Sequence, residues 1–259
     1  MVYVCIDLGC MNTSIAVENK GEPELIKFGT NETFPTVIYK GGETRIGSDV
    51  GTIQETDPSY LFSNLKSLIG RTFMEDDVTY LQSYLPYTVV DGENHRCMVV
   101  ACENGQEVVE DPTIFLSYYI RCLIDIVKST VINTCIEGLI LSYPPSFTDL
   151  QKDQLQKAAN YTGISHIELV SDTIAACMYS GVKNRSDDVN ALVVNCGAST
   201  FNVSVIHCNK LSYDVIGTEG LNNVGGNTFT NVLLLMAIEQ MAPHIRYSDL
   251  STKDQLQLR

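Results

Sequence analysis

Val4-Cys5-Ile6-Asp7-Leu8-Gly9-Cys10-Met11-Asn12-Thr13-Ser14-Ile15-Ala16-Val17 decides how this chain is read, because a second stretch lies over it residue for residue. That stretch is Leu192-Val193-Val194-Asn195-Cys196-Gly197-Ala198-Ser199-Thr200-Phe201-Asn202-Val203-Ser204-Val205. Each is an apolar run, a short turn at a glycine and a second alternating run, the pattern of strand, tight hairpin and strand. Two such hairpins facing each other can form a phosphate cradle. Small turn residues let backbone N–H groups approach an anion, and a carboxylate at the strand end can hold a metal-bound water. The first copy carries Asp7 at that strand end and the second carries Asn195. The pair points to nucleotide binding, and the mismatch questions the chemistry.

Working outward, strands are expected over residues 2–8, 13–18 and 24–28, followed by a polar region over 36–40, a glycine pair at Gly41-Gly42 and a short strand at 44–46. Tyr60, Leu61, Leu65 and Leu68 have helical spacing over 58–68, closed by Gly70. Residues 76–107 read as mostly polar, with short strands near 87–90 and 96–102. Asp111 caps a helix with Pro112 in its first turn. Ile114, Phe115, Tyr118, Cys122, Ile126 and Val127 form its core stripe. The second half alternates: a strand over 137–142, a helix capped by Thr148 and stopped by Gly163, a strand over 166–170 and a helix over 172–179. Residues 183–190 are polar and charged, a hinge or lobe boundary. A strand over 211–216 follows the second hairpin, Gly225-Gly226-Asn227 opens a helix through Ala237, and another helix begins near Ser251. Strand–helix alternation with buried apolar strands indicates an α/β fold whose sheet is covered on both faces.

The chain has 259 residues, 44% of them hydrophobic, enough for one large or two modest domains. A formal net charge of −14 argues against nucleic acid or an anionic membrane surface as a partner. It leaves room for ATP, whose phosphates need only backbone donors and one lysine. Nine cysteines without a C-x-x-C pair read as reduced core thiols of a cytoplasmic or nuclear protein, with Cys5, Cys122, Cys135, Cys177 and Cys208 inside apolar runs. No apolar run is long enough to span a bilayer. The four histidines show no ligand spacing.

Six segments, in order, resemble the nucleotide-binding domain of the Hsp70 chaperone family. Asp7-Leu8-Gly9-Cys10-Met11-Asn12-Thr13 is similar to its first phosphate loop. Lys66-Ser67-Leu68-Ile69-Gly70-Arg71-Thr72-Phe73 is similar to its lysine segment. Ser142-Tyr143-Pro144-Pro145 and Ser171-Asp172-Thr173-Ile174-Ala175-Ala176 match two further motifs. Asn195 through Ser204 resembles the second phosphate loop, and Gly225-Gly226-Asn227-Thr228-Phe229 a later glycine pair. The resemblance implies an actin-like, ribonuclease H-like ATPase fold of two lobes around a cleft. Residues 1–182 would form lobe one, with an outer subdomain at about 32–110, and 183–259 an incomplete first part of lobe two. The family's domain is longer than this chain and is followed by a peptide-binding domain, so a fragment of a longer protein is expected.

The resemblance also implies roles. Gly9, Cys10, Met11, Asn12, Gly197, Ala198, Ser199, Thr200, Gly225 and Gly226 would hold the phosphates of ATP or ADP. Asp7 and Asn195 would orient waters around Mg²⁺, and Lys66, Asp172 and Thr200 would serve catalysis. Several positions depart from the family. Asn195 and Asn202 replace acids, Asp172 is one methylene shorter than the family's glutamate, and Cys10 and Met11 replace threonines. Ala198 and Ser199 replace glycines and would crowd the loop. Asp172 could alternatively be a plain helix N-cap. The leading expectation is the ATP-binding part of a divergent Hsp70-like chaperone with weak or absent hydrolysis. Alternatives are an active ATPase chaperone, or a nucleotide-independent partner of an active Hsp70. Clients and co-chaperones would be engaged through the longer protein, and the chain itself is expected to be monomeric.

Overall fold

β1 (Val2–Leu8) alternates buried Val4, Ile6 and Leu8 with outward Cys5 and Asp7, so one face enters the core and the other stays open. The computed structural model describes residues 2–19, 21–41, 43–50, 57–131, 135–182, 188–210 and 212–258. β2 (Asn12–Asn19) returns antiparallel to β1, β3 (Glu22–Leu25) continues on β2, and the short β4 (Phe34–Pro35) joins the start of β2. β5 (Val37–Gly41), β6 (Glu43–Ile46) and β7 (Leu61–Ser63) begin a second sheet, and α1 (Asp76–Gln82) follows. β8 (Val89–Asp91), β9 (Cys97–Glu103) and β10 (Gln106–Glu110) complete that sheet in the order β10-β9-β5-β6, with β7 on β5 and β8 on β9.

The chain then returns to the first sheet. α2 (Pro112–Thr130), β11 (Ile136–Tyr143), α3 (Asp149–Asn160), β12 (His166–Ser171) and α4 (Asp172–Tyr179) succeed one another. β11 and β12 run parallel to β1, giving the order β12-β11-β1-β2-β3. β13 (Asp188–Cys196), β14 (Thr200–Asn209) and β15 (Tyr213–Asn222) make an antiparallel third sheet, followed by α5 (Gly226–Met241) and α6 (Thr252–Leu258). The fold is mixed α/β, as the alternation predicts.

Local chemistry accounts for the element ends. Asp111 accepts from the Thr113 N–H at 2.8 Å with Pro112 in the first turn of α2. Thr148 and Gln151 form a reciprocal capping box on α3. One large core joins the first two sheets to α2 and α3, whereas the third sheet has a small cluster around Cys177, Ile206 and Cys208.

Five expectations need correction. The first sheet is covered on one face only, because its other face, with Cys5 and Asp7, lines a cleft. Residues 58–68 are not one helix. A 3-10 turn at Pro58–Tyr60 leads into β7, which pairs with β5, and Asn64 then takes a left-handed φ of 56° before a 3-10 helix at Leu65–Ser67. The same apolar spacing fits both readings, and β5 supplies backbone partners that periodicity cannot reveal. α2 is rotated relative to its expected stripe. Phe115, Leu116, Tyr119, Ile120, Leu123, Ile124 and Val127 are buried, while Ile114 and Tyr118 are exposed. α2 is apolar on two adjoining sides, and sequence alone does not say which meets the sheet. α1 and β10 form within the stretch read as polar, and β15 and α5 run longer than expected. All nine cysteines are free thiols, but Cys5, Cys135 and Cys196 are exposed rather than core. Gly42, residues 183–187 of the expected hinge, Leu211 and Arg259 lie outside the described residues.

Candidate functional site

The two hairpins have the same bonds at matching positions. The Gly9 N–H donates to the Asn12 carbonyl at 3.1 Å, and the Gly197 N–H to the Thr200 carbonyl at 2.9 Å. Asp7 stands opposite Ser14, and Asn195 opposite Asn202. A Cβ on Gly9 would fall 2.3 Å from the Asn12 carbonyl oxygen, so this turn requires glycine. Between the hairpins lies a cavity of about 920 Å³, within the size range of small-molecule sites. Asp7 and Asn195 both line it, together with Lys66, Asp172 and both glycine turns.

Backbone donors gather at its edge. Among the described residues, no protein acceptor takes the N–H of Cys10, Met11, Ala198 or Ser199. Uncommitted backbone amides at two hairpin tips are the kind of donor that anion-binding nests use. Gly225 and Gly226 work differently. The Gly226 and Asn227 amides donate to the Gly197 and Ala198 carbonyls at 3.0 and 2.8 Å, so the start of α5 braces the second loop rather than lining the cavity. A Cβ on Gly225 would sit 2.5 Å from the Gly197 carbonyl, which explains the glycine there. Met11 is 43% exposed and does not line the cavity, so the bulk expected from it lies elsewhere. Asn12 is outside the lining as well. Ser199 is buried and turns its hydroxyl to Asn64 Oδ1 at 3.0 Å.

The polar floor is built from strand and helix ends. The Ser142 hydroxyl, at the end of β11, accepts from the Leu8 N–H at 3.2 Å and donates to Asp7 Oδ1 at 2.7 Å. Lys66 is buried on its 3-10 helix and donates to the Leu8 and Ser142 carbonyls. An ammonium has three protons, which leaves one for a ligand. Asp172 is the first residue of α4. Ser171 occupies the cap position, and Asp172 Oδ1 is buried without a partner, so the plain-cap reading does not hold.

Burial pushes the Asp172 carboxyl above the ordinary carboxylate range. Lys66 opposes that shift and Asp7 adds to it, while the single Ser142 hydroxyl proton is given to Asp7. Between the unfolded value near 4 and the raised folded value, the folded state binds more protons than the unfolded one. Stability therefore falls as pH rises through that window, and the cost persists above it. Asp172→Asn is expected to raise Tm at pH 7 by on the order of 2 °C, with the gap closing below about pH 4. Thermal melts across pH test this; a gap that widens on acidification contradicts it.

The orphan Asp172 oxygen, the repulsion from Asp7 and the free amides fit a phosphate ligand accompanied by a divalent cation. Among the described residues no group of three His, Cys, Asp or Glu side chains could hold a metal unaided. Mg²⁺ commonly relies on one or two carboxylates plus phosphate oxygens, which is what Asp7 and Asp172 offer. Asn195 supplies a neutral amide instead of a third charge. Asn202, fully buried behind it, has neither amide atom paired. Sequence reasoning missed Ser142, Asn64, Asp77, Asn222 and Asn223. Ser142, Asp77, Asn222 and Asn223 line the cleft and Asn64 stands behind it on Ser199; they come from distant parts of the chain, and no local pattern marks them.

The fold and this cleft define a class: a mixed α/β domain in which two matching glycine hairpins line one cavity. The family model described as "Hsp70 protein" matches residues 3–259, and the chain belongs to that family. It is 28% identical over 238 residues to the "Chaperone protein HscA homolog" of Neisseria meningitidis serogroup B (strain ATCC BAA-335 / MC58), covering 91% of this chain. It is 25% identical over 239 residues to the protein of the same description from Haemophilus influenzae (strain PittGG), covering 92% of this chain. The chain spans 37% of the length of each of these relatives.

Proposed function

We propose that this chain is the nucleotide-binding part of a longer Hsp70-type chaperone, using Mg·ATP and Mg·ADP as regulatory ligands with weak or absent hydrolysis. One observation carries the reading: two hairpins with matching bonds face one cleft and, among the described residues, leave four backbone N–H groups without an acceptor near a buried, unpartnered carboxylate oxygen. The tips of both hairpins would hold phosphates, with Lys66 reaching toward them by its remaining proton. Asp7 and Asp172 would orient the waters of Mg²⁺, which when bound neutralises phosphate charge. Thr200 stands at the start of β14, beside the second tip, where a hydroxyl can contact a phosphate. Residues 1–182 would act as one lobe, with an outer part at about 32–110, and 183–259 as the beginning of the other. Clients and co-chaperones would be engaged by the whole protein.

The altered positions favour weak turnover. Phosphoryl transfer depends on positioning and electrostatics, so a missing charge at Asn195 and a short reach at Asp172 compound each other. Titration calorimetry and thermal shift with Mg·ADP test the reading. Weak binding, in the micromolar range or above, is expected. At ten times Kd, ligand linkage gives about 1.4 kcal/mol, or roughly 4 °C in Tm. Absence of any nucleotide effect would favour a nucleotide-independent partner module. Turnover at an ordinary Hsp70 rate would favour an active chaperone.

A further inference from the structure

A set of hydrogen bonds crosses the mouth of the cleft, and its centre is Asp77 on α1. The Asp77 Oδ2 accepts from Arg71 Nη1 at 3.0 Å and from Asn222 Nδ2 at 2.9 Å. The Asn223 amide donates to Asp77 Oδ1 at 3.0 Å and to its backbone carbonyl at 3.1 Å. Arg71, itself held by Glu75 at 2.6 Å, orients the carboxylate. Charge-assisted bonds of this kind are among the stronger ones a protein makes. A second strand of the crossing runs nearby: buried Ser199 donates to Asn64, and Asn227 donates to Ser199 at 3.1 Å.

The partners on each side are tied to the phosphate site. On one side, Asn64 and Arg71 flank the 3-10 helix that carries Lys66. On the other, Asn222 and Asn223 end β15 and enter the turn that leads into α5. Asn223 holds a left-handed φ of 56°, which asparagine tolerates, and its carbonyl accepts from Thr228 Oγ1 at 2.8 Å. The start of α5 in turn donates to the Gly197 and Ala198 carbonyls. The turn is thus bonded to the second hairpin tip through the start of α5, and Asp77 and Asn64 tie that unit to the two ends of the lysine segment. α6 also touches the Pro58–Tyr60 turn, but it contributes no group to the cleft lining.

We propose that Asp77, with Asn222 and Asn223, is a clasp that holds the second phosphate hairpin against the lysine segment, and that its release is the step that admits and frees the nucleotide. Asp77 is a positioning residue here. The proposal deepens the nucleotide reading and rests on it for the ligand, while the clasp itself can be observed without one.

The test compares the 259-residue chain with Asp77→Ala, Asn223→Ala and the double variant. The first readout is the rate of iodoacetamide labelling at Cys10, resolved by peptide mass spectrometry. Cys10 sits half-buried in the cleft beside Ser67, and exposed Cys135 is the internal reference. Either single variant should speed Cys10 labelling on the order of tenfold relative to Cys135, and the double should add little, as expected for partners in one contact. The second readout is dissociation of fluorescently labelled Mg·ADP, which should quicken by a similar factor. Failure of labelled ADP to bind overturns the nucleotide reading and the gating step, with Cys10 still reporting whether the clasp exists. Unchanged Cys10 labelling overturns the clasp. So does a uniform acceleration that includes buried Cys177 and Cys208, because that reports loosening of the whole fold.

Discussion

Asn195→Asp combined with Asp172→Glu is expected to raise single-turnover ATP hydrolysis by roughly 10²–10³-fold. Asn195 lines the cleft opposite Asp7 but carries no charge, and Asp172 starts α4 with an oxygen that reaches no partner. A restored carboxylate at 195 would give Mg²⁺ a charged anchor on the side of the second hairpin, beyond those of Asp7 and residue 172. The longer side chain at 172 extends the carboxylate toward the attacking water. A gain of that size corresponds to about 3–4 kcal/mol of transition-state stabilisation, typical of one well-placed charge in a desolvated site. The same change has a cost that can be measured independently. Without Mg²⁺ a third carboxylate faces Asp7 and residue 172 with only Lys66 to offset it, so the double variant should melt lower than the parent and recover when Mg²⁺ is added. A parent protein that already turns over as fast as an ordinary Hsp70 contradicts this account, as does a double variant with unchanged rate.

Lys66→Ala is expected to cost about 3 kcal/mol of stability, or roughly 6–12 °C in Tm. Lys66 is 4% exposed, and its ammonium joins the ends of β1 and β11 through the Leu8 and Ser142 carbonyls. Its stem passes into the core, with the ammonium 5.9 Å from the centre of the Phe147 ring. Removing it orphans two buried carbonyls and leaves Asp172 facing Asp7 without a counter-charge. A lone buried charge is the costly half of such a truncation. The variant should also lose the stabilisation that Mg·ADP gives the parent. A variant melting within 1 °C of the parent that still responds to nucleotide would make Lys66 a bystander.

Much of the fold was legible because its signals are local. The glycine turns at Gly9 and Gly197, the Asp111 and Thr148 caps, and the apolar strands β1, β11 and β12 each carry their cause within a few residues. The failures occur where tertiary partners decide. Leu61–Ser63 becomes a strand only because β5 lies beside it, and α2 turns Tyr119 rather than Tyr118 inward because of the sheet it meets. At the site, the repeated hairpins and Lys66 were readable, and they do line one cleft. The uses of Ser199, Gly225 and Gly226 were not. Crowding by the Ser199 side chain was expected, whereas its hydroxyl bridges to Asn64, and the start of α5, read as a phosphate contact, donates to the carbonyls of the second hairpin. Those roles depend on residues more than twenty positions away, which no local pattern encodes.

The most direct test of the central claim is amide hydrogen exchange with and without Mg·ADP, resolved at the two hairpin tips. Binding as described should slow exchange at Cys10, Met11, Ala198 and Ser199 together, because these four N–H groups have no acceptor among the described residues and would gain a phosphate. Exchange at all four that is unchanged by saturating Mg·ADP, or protection confined to α5 and α6, would show that the hairpins are not a phosphate cradle.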